Sequence, residues 1–318
     1  MKIILAPMEG VIEHHMRKTL TSVGGYDACV TEFIRITDQH LPERVFKRMS
    51  PELAQLGQTA SGVPVTLQLL GGDPEAMAVN AHKAEQLGAP AIDINFGCPS
   101  KFVNRKMGGS VLLREPERVH AIVAAVRKAI HPAIPVTAKM RLGYEDEGLT
   151  MENAMAIESA GASELTVHAR TKVDGYSAPA RWESLAPLRE KLTIRLIANG
   201  DIRSLDDYHR CVSICGCDDV MLGRGAINDP SLARQIKQSL HGDRIEPMSW
   251  NELCALILAT SERMAQEYPQ NYVVMRVKQW LGMLRKHHTQ GQQVFSVIRR
   301  LKDLASVNDV LLKDHFSC

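Results

Sequence analysis

Eight short strand-like runs alternate with segments of helical apolar spacing, and this rhythm limits the possible folds most strongly. The runs are Ile3–Leu5, Ala28–Thr31, Val65–Leu69, Ala91–Asn95, Val136–Lys139, Leu165–His168, Leu196–Ala198 and Val220–Leu222. Between most of them apolar residues recur at helical spacing, as in Pro74–Leu87 and Pro116–Ile130. Eight such units have the size of a (β/α)8 TIM barrel, so an α/β barrel is predicted. A doubly wound parallel sheet is the alternative, because a sequence does not show strand order.

The strand pattern stops near residue 244. Helical spacing starts at Trp250, and further helices are predicted over Val274–Arg285, Gln293–Ala305 and Asp309–Lys313. We therefore predict two domains, a barrel over 1–244 and a small all-α helical bundle over 245–318. Seven Lys/Arg and no Asp/Glu lie between residues 276 and 302, although the net charge of the chain is only +2. Such a stretch is either a polyanion-binding face or a solvated helix surface.

Composition narrows the class of protein. Hydrophobic residues make up 45% of the chain, enough for a large core. No apolar run reaches the length of a membrane span, and the apolar run at the N-terminus is stopped by Pro7 and Glu9. We expect a cytoplasmic protein with reduced thiols. The cluster of Cys211, Cys215 and Cys217 lacks a fourth ligand at zinc spacing, so core packing is expected and no metal.

Polar residues gather at the ends of the predicted strands, where a barrel carries out its chemistry. Cys98 is the most informative of them, because it lies on a loop stiffened by Gly97 and Pro99 directly after a strand. A thiol there can act as a nucleophile, an acid or a metal ligand. The other strand ends carry Glu9, Gln68, Asn95, Lys139, Arg141, His168, Arg170, Asn199, Asp201 and Arg224.

The last two strand ends suit a phosphate. Gly200 and Asp201 follow strand seven, and Gly223 and Arg224 follow strand eight. Barrels commonly bind phosphate at these loops, where glycines let backbone N–H groups approach the anion and an arginine adds a bidentate contact. Lys139 and His168 would stabilise negative charge on a bound ring, as a reduced flavin requires. Gln68 and the backbone at Pro7, Met8 and Glu9 could bond the polar edges of the ring.

These motifs resemble the tRNA-dihydrouridine synthases, which are FMN-dependent flavoenzymes. The resemblance is carried by Ala6–Gly10, Gln68-Leu69, Asp93–Pro99, Lys139–Gly143, Val167–Thr171, Ile197–Asp201 and Met221–Gly225. The Asn-x-Gly-Cys-Pro element at Asn95–Pro99 is the most specific. Arg35 and the Lys278–Leu281 region look like the bacterial C subfamily, whose members reduce the uridine at position 16 of the tRNA D-loop.

The resemblance implies a reaction and a cofactor. Reduced flavin delivers a hydride from N5 to C6 of uracil, and Cys98 donates a proton to C5 as the general acid. NADPH is the implied reductant. The implied FMN-binding residues are Pro7, Met8, Glu9, Gln68, Lys139, His168, Asn199, Gly200, Asp201, Gly223 and Arg224.

The implied partner is tRNA, whose target base must leave its stack to reach the flavin. The expected tRNA-binding residues are Arg35, Asn95, Arg141, Tyr176, Arg276, Lys278, Gln279, Arg285 and Arg299. A monomer is expected. One departure from the family pattern is the run Lys106–Ser110, where the family more often has a Gly/Ala-rich run, so the loop after Cys98 is expected to close differently.

Two other functions remain open at this point. A flavin-dependent dehydrogenase or reductase of a free pyrimidine would use a similar barrel and would not need the basic C-terminal helices. A tRNA-binding chaperone with a vestigial flavin site would not need Cys98, Lys139 or His168.

Overall fold

The computed structural model describes residues 1–37, 40–177 and 179–315. Over this part of the chain the nine β-strands pair with one another in parallel, and one isolated antiparallel bridge joins Gln58 and Pro64. The strands are β1 (Ile3–Leu5), β2 (Ala28–Val30), β3 (Ile34–Arg35), β4 (Val65–Leu70), β5 (Ile92–Phe96), β6 (Val136–Gly143), β7 (Glu164–Thr171), β8 (Arg195–Asn199) and β9 (Val220–Leu222).

Eight of these strands close into a ring. The order runs β1, β2, β4, β5, β6, β7, β8 and β9, and β9 pairs again with β1. The two-residue β3 pairs with the end of β4, where Ile34 lies beside Leu69. A doubly wound sheet has open edges, so ring closure confirms the predicted barrel and excludes the alternative. All eight predicted strands are present.

Helices connect most of the strands. They are α1 (His14–Val23), α2 (Glu43–Met49), α3 (Pro74–Gln86), α4 (Lys101–Arg105), α5 (Pro116–Ala129), α6 (Thr150–Ser159), α7 (Ala186–Lys191) and α8 (Leu205–Cys215). Short 3₁₀ helices span Pro51–Gln55, Gly109–Arg114 and Trp182–Leu185. Pro74 and Pro116 occupy the first turn of α3 and α5, as predicted, because a proline there loses no intrahelical hydrogen bond.

The remaining helices follow β9. They are α9 (Arg224–Asn228), α10 (Leu232–His241), α11 (Trp250–Ala265), α12 (Gln270–Leu284), α13 (Thr289–Ile298) and α14 (Leu304–His315). The predicted helix Gln293–Ala305 is wrong, because it joins parts of two helices. Asp303 separates them: its Oδ1 accepts the backbone N–H of Ser306 at 2.8 Å and caps the start of α14.

The described chain divides into two compact units. The first consists of Met1–His14, Tyr26–Ile202 and Asp206–Gly223, and it contains every strand of the barrel. The second consists of His15–Gly25, Arg203–Leu205 and the chain from Arg224 onward. Helices α9 and α10 therefore group with the C-terminal helices, twenty or so residues before the boundary expected at 244/245. The assignment of separate functions to 1–244 and 245–318 stays a prediction.

Each unit has its own buried apolar residues. In the barrel unit Ile4, Ala6, Ala28, Val30, Ile197 and Met221 form one buried cluster. Ile4 and Ala6 are two residues apart, as are Ala28 and Val30, so each pair projects from one face of its strand. In the second unit the most buried apolar side chains include Ile257, Val273, Leu281, Leu284 and Ile298. No helix in the described ranges is long and apolar enough to cross a membrane.

Candidate active site

The register of the parallel strands brings the predicted polar residues together. Asn95 on β5 lies beside Lys139 on β6, and His168 on β7 lies beside Asn199 on β8. Arg141 is the neighbour of His168. The side chains at these strand ends are nearly all removed from solvent: Gln68 is 0% exposed, and Asn95, Lys139, His168 and Asn199 are 8–9% exposed. Buried polar groups at one end of a barrel are the expected setting for a ligand.

The backbone around Cys98 is held on both sides. The side-chain Oδ1 of Asn95 accepts the N–H groups of Gly97 and Cys98, each at 2.9 Å. An Asn side chain that accepts N–H groups two and three residues ahead makes a tight turn without help from the backbone. The Cys98 carbonyl accepts the Ser110 hydroxyl and the Asn104 amide, also at 2.9 Å. The thiol therefore projects from a fixed loop.

Cys98 is suited to give up a proton. It is the one cysteine in the described ranges that is not buried. Partial burial raises the pKa of the Cys98 thiol, and Glu9 raises that pKa further. Arg35 and Arg141 act in the opposite direction but do not reverse the shift. The thiol is therefore protonated at neutral pH, as a general acid must be.

A buried hydrogen-bonded chain orients Asn95 from behind. Asn95 Nδ2 donates to Gln68 Oε1 at 2.8 Å, and Gln68 Nε2 donates to Asp93 Oδ2 at 2.6 Å. Thr137 Oγ1 donates to the other oxygen of Asp93 at 2.5 Å. An ionised carboxylate only accepts hydrogen bonds, so Asp93 fixes the amide of Gln68, which then fixes the amide of Asn95.

The roles of Asp93 and Thr137 were not predicted from the sequence. An acidic residue in the apolar run Ala91-Ile92-Asp93-Ile94 was the available signal, since a buried strand rarely carries an unpaired charge. Asp93 is 2% exposed, and burial raises its pKa to about 6, against the hydrogen bonds from Thr137 and Gln68.

Lys139 supplies positive charge at the centre of the site. Its Nζ donates to Asn199 Oδ1 at 3.0 Å, and Asn199 Nδ2 donates to the carbonyl of Met221 on β9 at 2.8 Å. Burial, together with the neighbouring Arg141, lowers the pKa of Lys139 to about 8. The amine is mostly protonated at pH 7 and can stabilise an anionic edge of a ligand.

Arg141 joins two loops at the mouth of the barrel. Its Nε donates to the carbonyl of Gly97, and its Nη1 donates to the carbonyls of Thr171 and Gly175, all at 2.9 Å. Its guanidinium lies 5.1 Å from the ring centre of Tyr176, a side chain that is 57% exposed. Arg141 therefore ties the Cys98 loop to the loop after β7.

Arg170 fixes the ring of His168. Its Nη1 lies 3.1 Å from His168 Nε2, and arginine can only donate, so Nε2 accepts and the ring proton resides on Nδ1. Arg170 is 1% exposed and forms an ion pair with Asp201. Sequence analysis placed Arg170 at this strand end but gave it no role.

The loop after β8 packs tightly at Gly200, whereas the loop after β9 makes only ordinary contacts at Gly223. Gly200 has a φ of +121°, and a Cβ there would lie 3.0 Å from His168 Cδ2, so a larger residue would be strained. A Cβ on Gly223 would be in ordinary contact with Met8 Sδ at 3.5 Å. Asp201 adopts a left-handed φ of +53°.

The other predicted cofactor residues lie at chain turns. Arg224 follows Gly223 in the chain and is the first residue of α9. In the loop after β1, Pro7 and Met8 are half-buried and Glu9 is exposed. The Met8 carbonyl accepts the N–H groups of Val11 and Ile12 at 3.0 and 2.9 Å, which shapes this turn.

The predicted tRNA-binding residues of the second unit differ in exposure. Arg276 is only 8% exposed and bonds to Gln279 Oε1. Lys278 Nζ donates to the carbonyls of Arg299, at 3.2 Å, and Leu301. These contacts also give Arg276, Lys278 and Gln279 a structural role.

Other cations of the same stretch are more available to a partner. Arg285 is half-buried, with its guanidinium 4.5 Å from the ring centre of Phe295. Arg299, Arg300 and Lys302 are exposed beyond the end of α13.

Arg35 lies on β3, and its guanidinium is 4.6 Å from the ring centre of Phe102, which sequence analysis did not single out. The thiols of Cys211, Cys215 and Cys217 are buried, with 3.9 Å between the sulfurs of Cys211 and Cys215, as expected for core residues.

Comparison with known proteins gives matches over nearly the whole chain. The family model for dihydrouridine synthase (Dus) matches residues 4–316. A tRNA-dihydrouridine(16) synthase from Shewanella oneidensis is 48% identical over 98% of this chain and 97% of its own length. Proteins of the same name from Aquipseudomonas alcaligenes and Pseudomonas putida are each 46% identical over 98% of this chain, and over 99% and 96% of their own lengths.

Solved structures resemble the chain at the level of fold. A 2-naphthoyl-CoA reductase complex has a TM-score of 0.57 at 13% identity, covering 76% of this chain and 50% of that chain. The 3-hexulose-6-phosphate synthase from Salmonella typhimurium has a TM-score of 0.52 at 15% identity, covering 77% of this chain and 100% of that chain.

Proposed function

Because the chain belongs to the dihydrouridine synthase family, we propose that it reduces the C5–C6 double bond of uridine 16 in the tRNA D-loop to 5,6-dihydrouridine. One observation carries the proposal. The protonated thiol of Cys98 lies on a loop tied by Arg141 and Asn95 to the same strand ends that bear Lys139, His168 and Asn199. The barrel and the family match support an oxidoreductase.

The residues present fit FMN. The site offers a buried cation, buried amides and two glycine-containing loops, of which the one at Gly200 leaves little room for a larger side chain. These features match an anionic ring edge and a phosphate. Lys139 and His168 would face the ring, and Gln68 and the backbone of Pro7, Met8 and Glu9 would bond its polar edges. The loops with Asn199–Asp201 and Gly223–Arg224 would hold the phosphate. When bound and reduced by NADPH, FMN would supply the hydride that C6 of the uracil accepts.

Cys98 completes the reaction by donating its thiol proton to C5. The raised pKa keeps that proton in place until negative charge develops on the uracil. Asn95 retains a second amide hydrogen beyond its bond to Gln68, which can reach the target nucleotide. Tyr176, on the loop after β7, and Arg141, on β6 with its guanidinium beside the Tyr176 ring, are the proposed contacts to the base or its ribose.

The proposed partner is a single tRNA whose target base is flipped out of its stack. The positive charges of Arg35, Arg285 and Arg299 would neutralise phosphates, while Arg276, Lys278 and Gln279 shape the surface that carries them. Substrate and reductant of this kind belong to the cytoplasm, where we propose that the protein acts. We propose a monomer, which light scattering of the purified protein tests.

Half-reactions separate the proton donor from the rest of the site. In Cys98→Ala we expect NADPH to reduce the bound flavin at the wild-type rate. Oxidation of the reduced flavin by unmodified tRNA should slow by about 10²- to 10⁴-fold, the usual loss for a general acid. Cys254→Ala, which removes a buried thiol on α11, is the matched control and should keep the wild-type rates of both half-reactions. Wild-type oxidation rates in Cys98→Ala would exclude Cys98 as the acid.

A further inference from the structure

We propose that the segment directly behind Cys98 is an RNA-binding surface on which Phe102 stacks against the D-loop base next to the target uridine. The α4 edge denotes the exposed residues of this segment: Lys101, Phe102, Arg105, Lys106 and Met107. The proposal rests on the proposed tRNA substrate and adds a site residue on the barrel unit.

Phe102 is exposed although the helix that carries it packs well. The side chain is 60% exposed, whereas its neighbours Val103 and Asn104 are 1% and 7% exposed. Met107, at the end of the segment, is 37% exposed. A single exposed apolar side chain is common, so exposure alone does not mark a binding site.

A cation lies against the ring. The guanidinium of Arg35 is 4.6 Å from the ring centre of Phe102, close enough for a cation–π interaction. Arg35 Nε is shielded from solvent and has no hydrogen-bond partner within the described residues, so the ring is a main contact that orients it. A phenyl ring with a guanidinium on one side, and most of its surface open, is a ready platform for a nucleobase.

The chain segment that carries Phe102 contains only positively charged ionic side chains. Between Gly97 and Arg114 the sequence contains Lys101, Arg105, Lys106 and Arg114 and no Asp or Glu. Arg114 is paired with Glu145, whereas Lys101, Arg105 and Lys106 form no ion pair within the part of the chain described. Exposed aromatic and basic side chains together are typical of surfaces that bind single-stranded nucleic acid.

The α4 edge follows Cys98 directly in the chain, so the nucleotide that it would contact is the one beside the target uridine. Asn104 Nδ2 donates to the carbonyls of Cys98 and Ser100 at 2.9 and 2.7 Å, and Ser110 Oγ donates to Asn104 Oδ1 at 3.0 Å. The helix and the thiol are therefore one rigid piece. A uridine at Cys98 has left its stack, so the base beside it has lost a partner that Phe102 can replace. The surface includes part of Lys106–Ser110, where the sequence departs from the family pattern.

The test compares three substitutions of Phe102 in the full-length, FMN-loaded protein. We expect Phe102→Ala and Phe102→Leu to raise the KM for tRNA by about 5- to 100-fold, the range for loss of one base stack. Phe102→Tyr keeps the aromatic face and should stay near wild type. FMN content and flavin reduction by NADPH should be unchanged in all three. Met155→Ala removes another exposed apolar side chain, on α6, and should have no effect.

Changing the tRNA and the protein together tests whether the group that stacks on Phe102 is the base beside the target uridine. A tRNA with an abasic nucleotide beside the target should bind wild type and Phe102→Ala equally, because neither complex then contains the stack. Replacing Lys101, Arg105 and Lys106 by Gln should reduce the salt dependence of tRNA binding, while Phe102→Ala should not change it.

Several results would overturn the inference. Phe102→Leu equal to Phe102→Tyr would show that no stacking occurs. An unchanged KM, with self-association of the wild type lost in Phe102→Ala, would assign the surface to a second copy of the chain. If the proposed function itself is wrong, the wild type will form no dihydrouridine in tRNA. That result is distinct from the results that concern Phe102 alone.

Discussion

At the scale of single residues, the orientation of Asn95 decides how Cys98 is presented. Asp93 sets that orientation through Gln68, whose Nε2 donates to Asp93 Oδ2 at 2.6 Å and whose Oε1 accepts from Asn95 Nδ2 at 2.8 Å. The residue types at the strand ends were predictable, because buried strands of a barrel end in its active site. The amide orientations were not, since they depend on partners from β4 and β6 that only the register brings together.

Replacing Asp93 by Asn should make the stability of the protein less dependent on pH. The Asn oxygen can still accept from Gln68, and its amide can donate to Thr137. The pKa of Asp93 is raised from 3.8 to about 6, so the unfolded wild type loses this proton first, and the wild type loses stability as pH rises between those values. The stability of Asp93→Asn relative to wild type should therefore increase from pH 4 to pH 7, by at most about 3 kcal/mol.

Urea unfolding of both proteins across that pH range measures this effect. If the difference in free energy of unfolding between Asp93→Asn and wild type stays constant from pH 4 to pH 7, the pKa of Asp93 is not raised by burial. Asp174→Asn is a useful comparison, because its stability relative to wild type should change with pH in the opposite direction. Hydrogen bonds from Arg181 and Thr171 lower the pKa of Asp174 from 3.8 to about 2, so that variant should lose stability relative to wild type as pH rises from about 2 to 4, with little further change up to pH 7.

At the scale of elements, Arg141 couples the loop after β5 to the loop after β7. Arg141→Lys keeps the charge but loses the planar fork that reaches Gly97, Thr171 and Gly175. We expect amide hydrogen exchange in both loops to become faster, by about 10-fold or more if one charged hydrogen bond is lost. Dihydrouridine formation should slow while FMN content is retained.

Arg114→Lys provides the matched control for this prediction. Arg114 is half-exposed, pairs with Glu145 and lies over the ring of Tyr144, a surface arrangement that contributes little. Loop exchange in Arg114→Lys should equal wild type. Equal exchange in Arg141→Lys would show that the two loops are held by other contacts.

The elements also show where sequence reasoning succeeds. The eight barrel strands were found because each is a short apolar run bounded by turns. The two-residue β3 gives no periodic signal, and it was missed. The helix Gln293–Ala305 was placed wrongly because apolar spacing continues through Leu301 and Leu304, while the decisive signal was a single capping residue, Asp303.

At the scale of the whole molecule, two of the stretches that carry positive charge without acidic residues are 97–114 and 276–302. The sequence identified the second stretch but could not separate cations that face solvent from those that support the fold. Arg276 is nearly buried, and Lys278 bonds to backbone carbonyls. Arg299 and Arg300 are exposed and are the better candidates for phosphate contacts.

Replacing Arg299 and Arg300 together by Gln should weaken tRNA binding and flatten its dependence on salt. Each lost phosphate contact reduces the slope of log affinity against log salt by roughly 0.7 to 0.9, so a change of up to about 1.8 is expected for two contacts. The paired control replaces Lys128 and Arg189, which are exposed on α5 and α7, and should leave the slope unchanged. If the two double variants show the same salt dependence of tRNA binding, Arg299 and Arg300 do not contact tRNA phosphates.

The first experiment is mass-spectrometric mapping of dihydrouridine in unmodified tRNA after incubation with the purified protein and NADPH, because it detects the proposed product at the proposed nucleotide. We expect dihydrouridine at position 16 alone, and we expect Cys98→Ala to abolish its formation or slow it strongly. Dihydrouridine at another D-loop position would support the proposed reaction but show that the target nucleotide is not uridine 16. A yellow protein that oxidises NADPH but forms no dihydrouridine in tRNA would contradict the account and favour a free pyrimidine as the substrate.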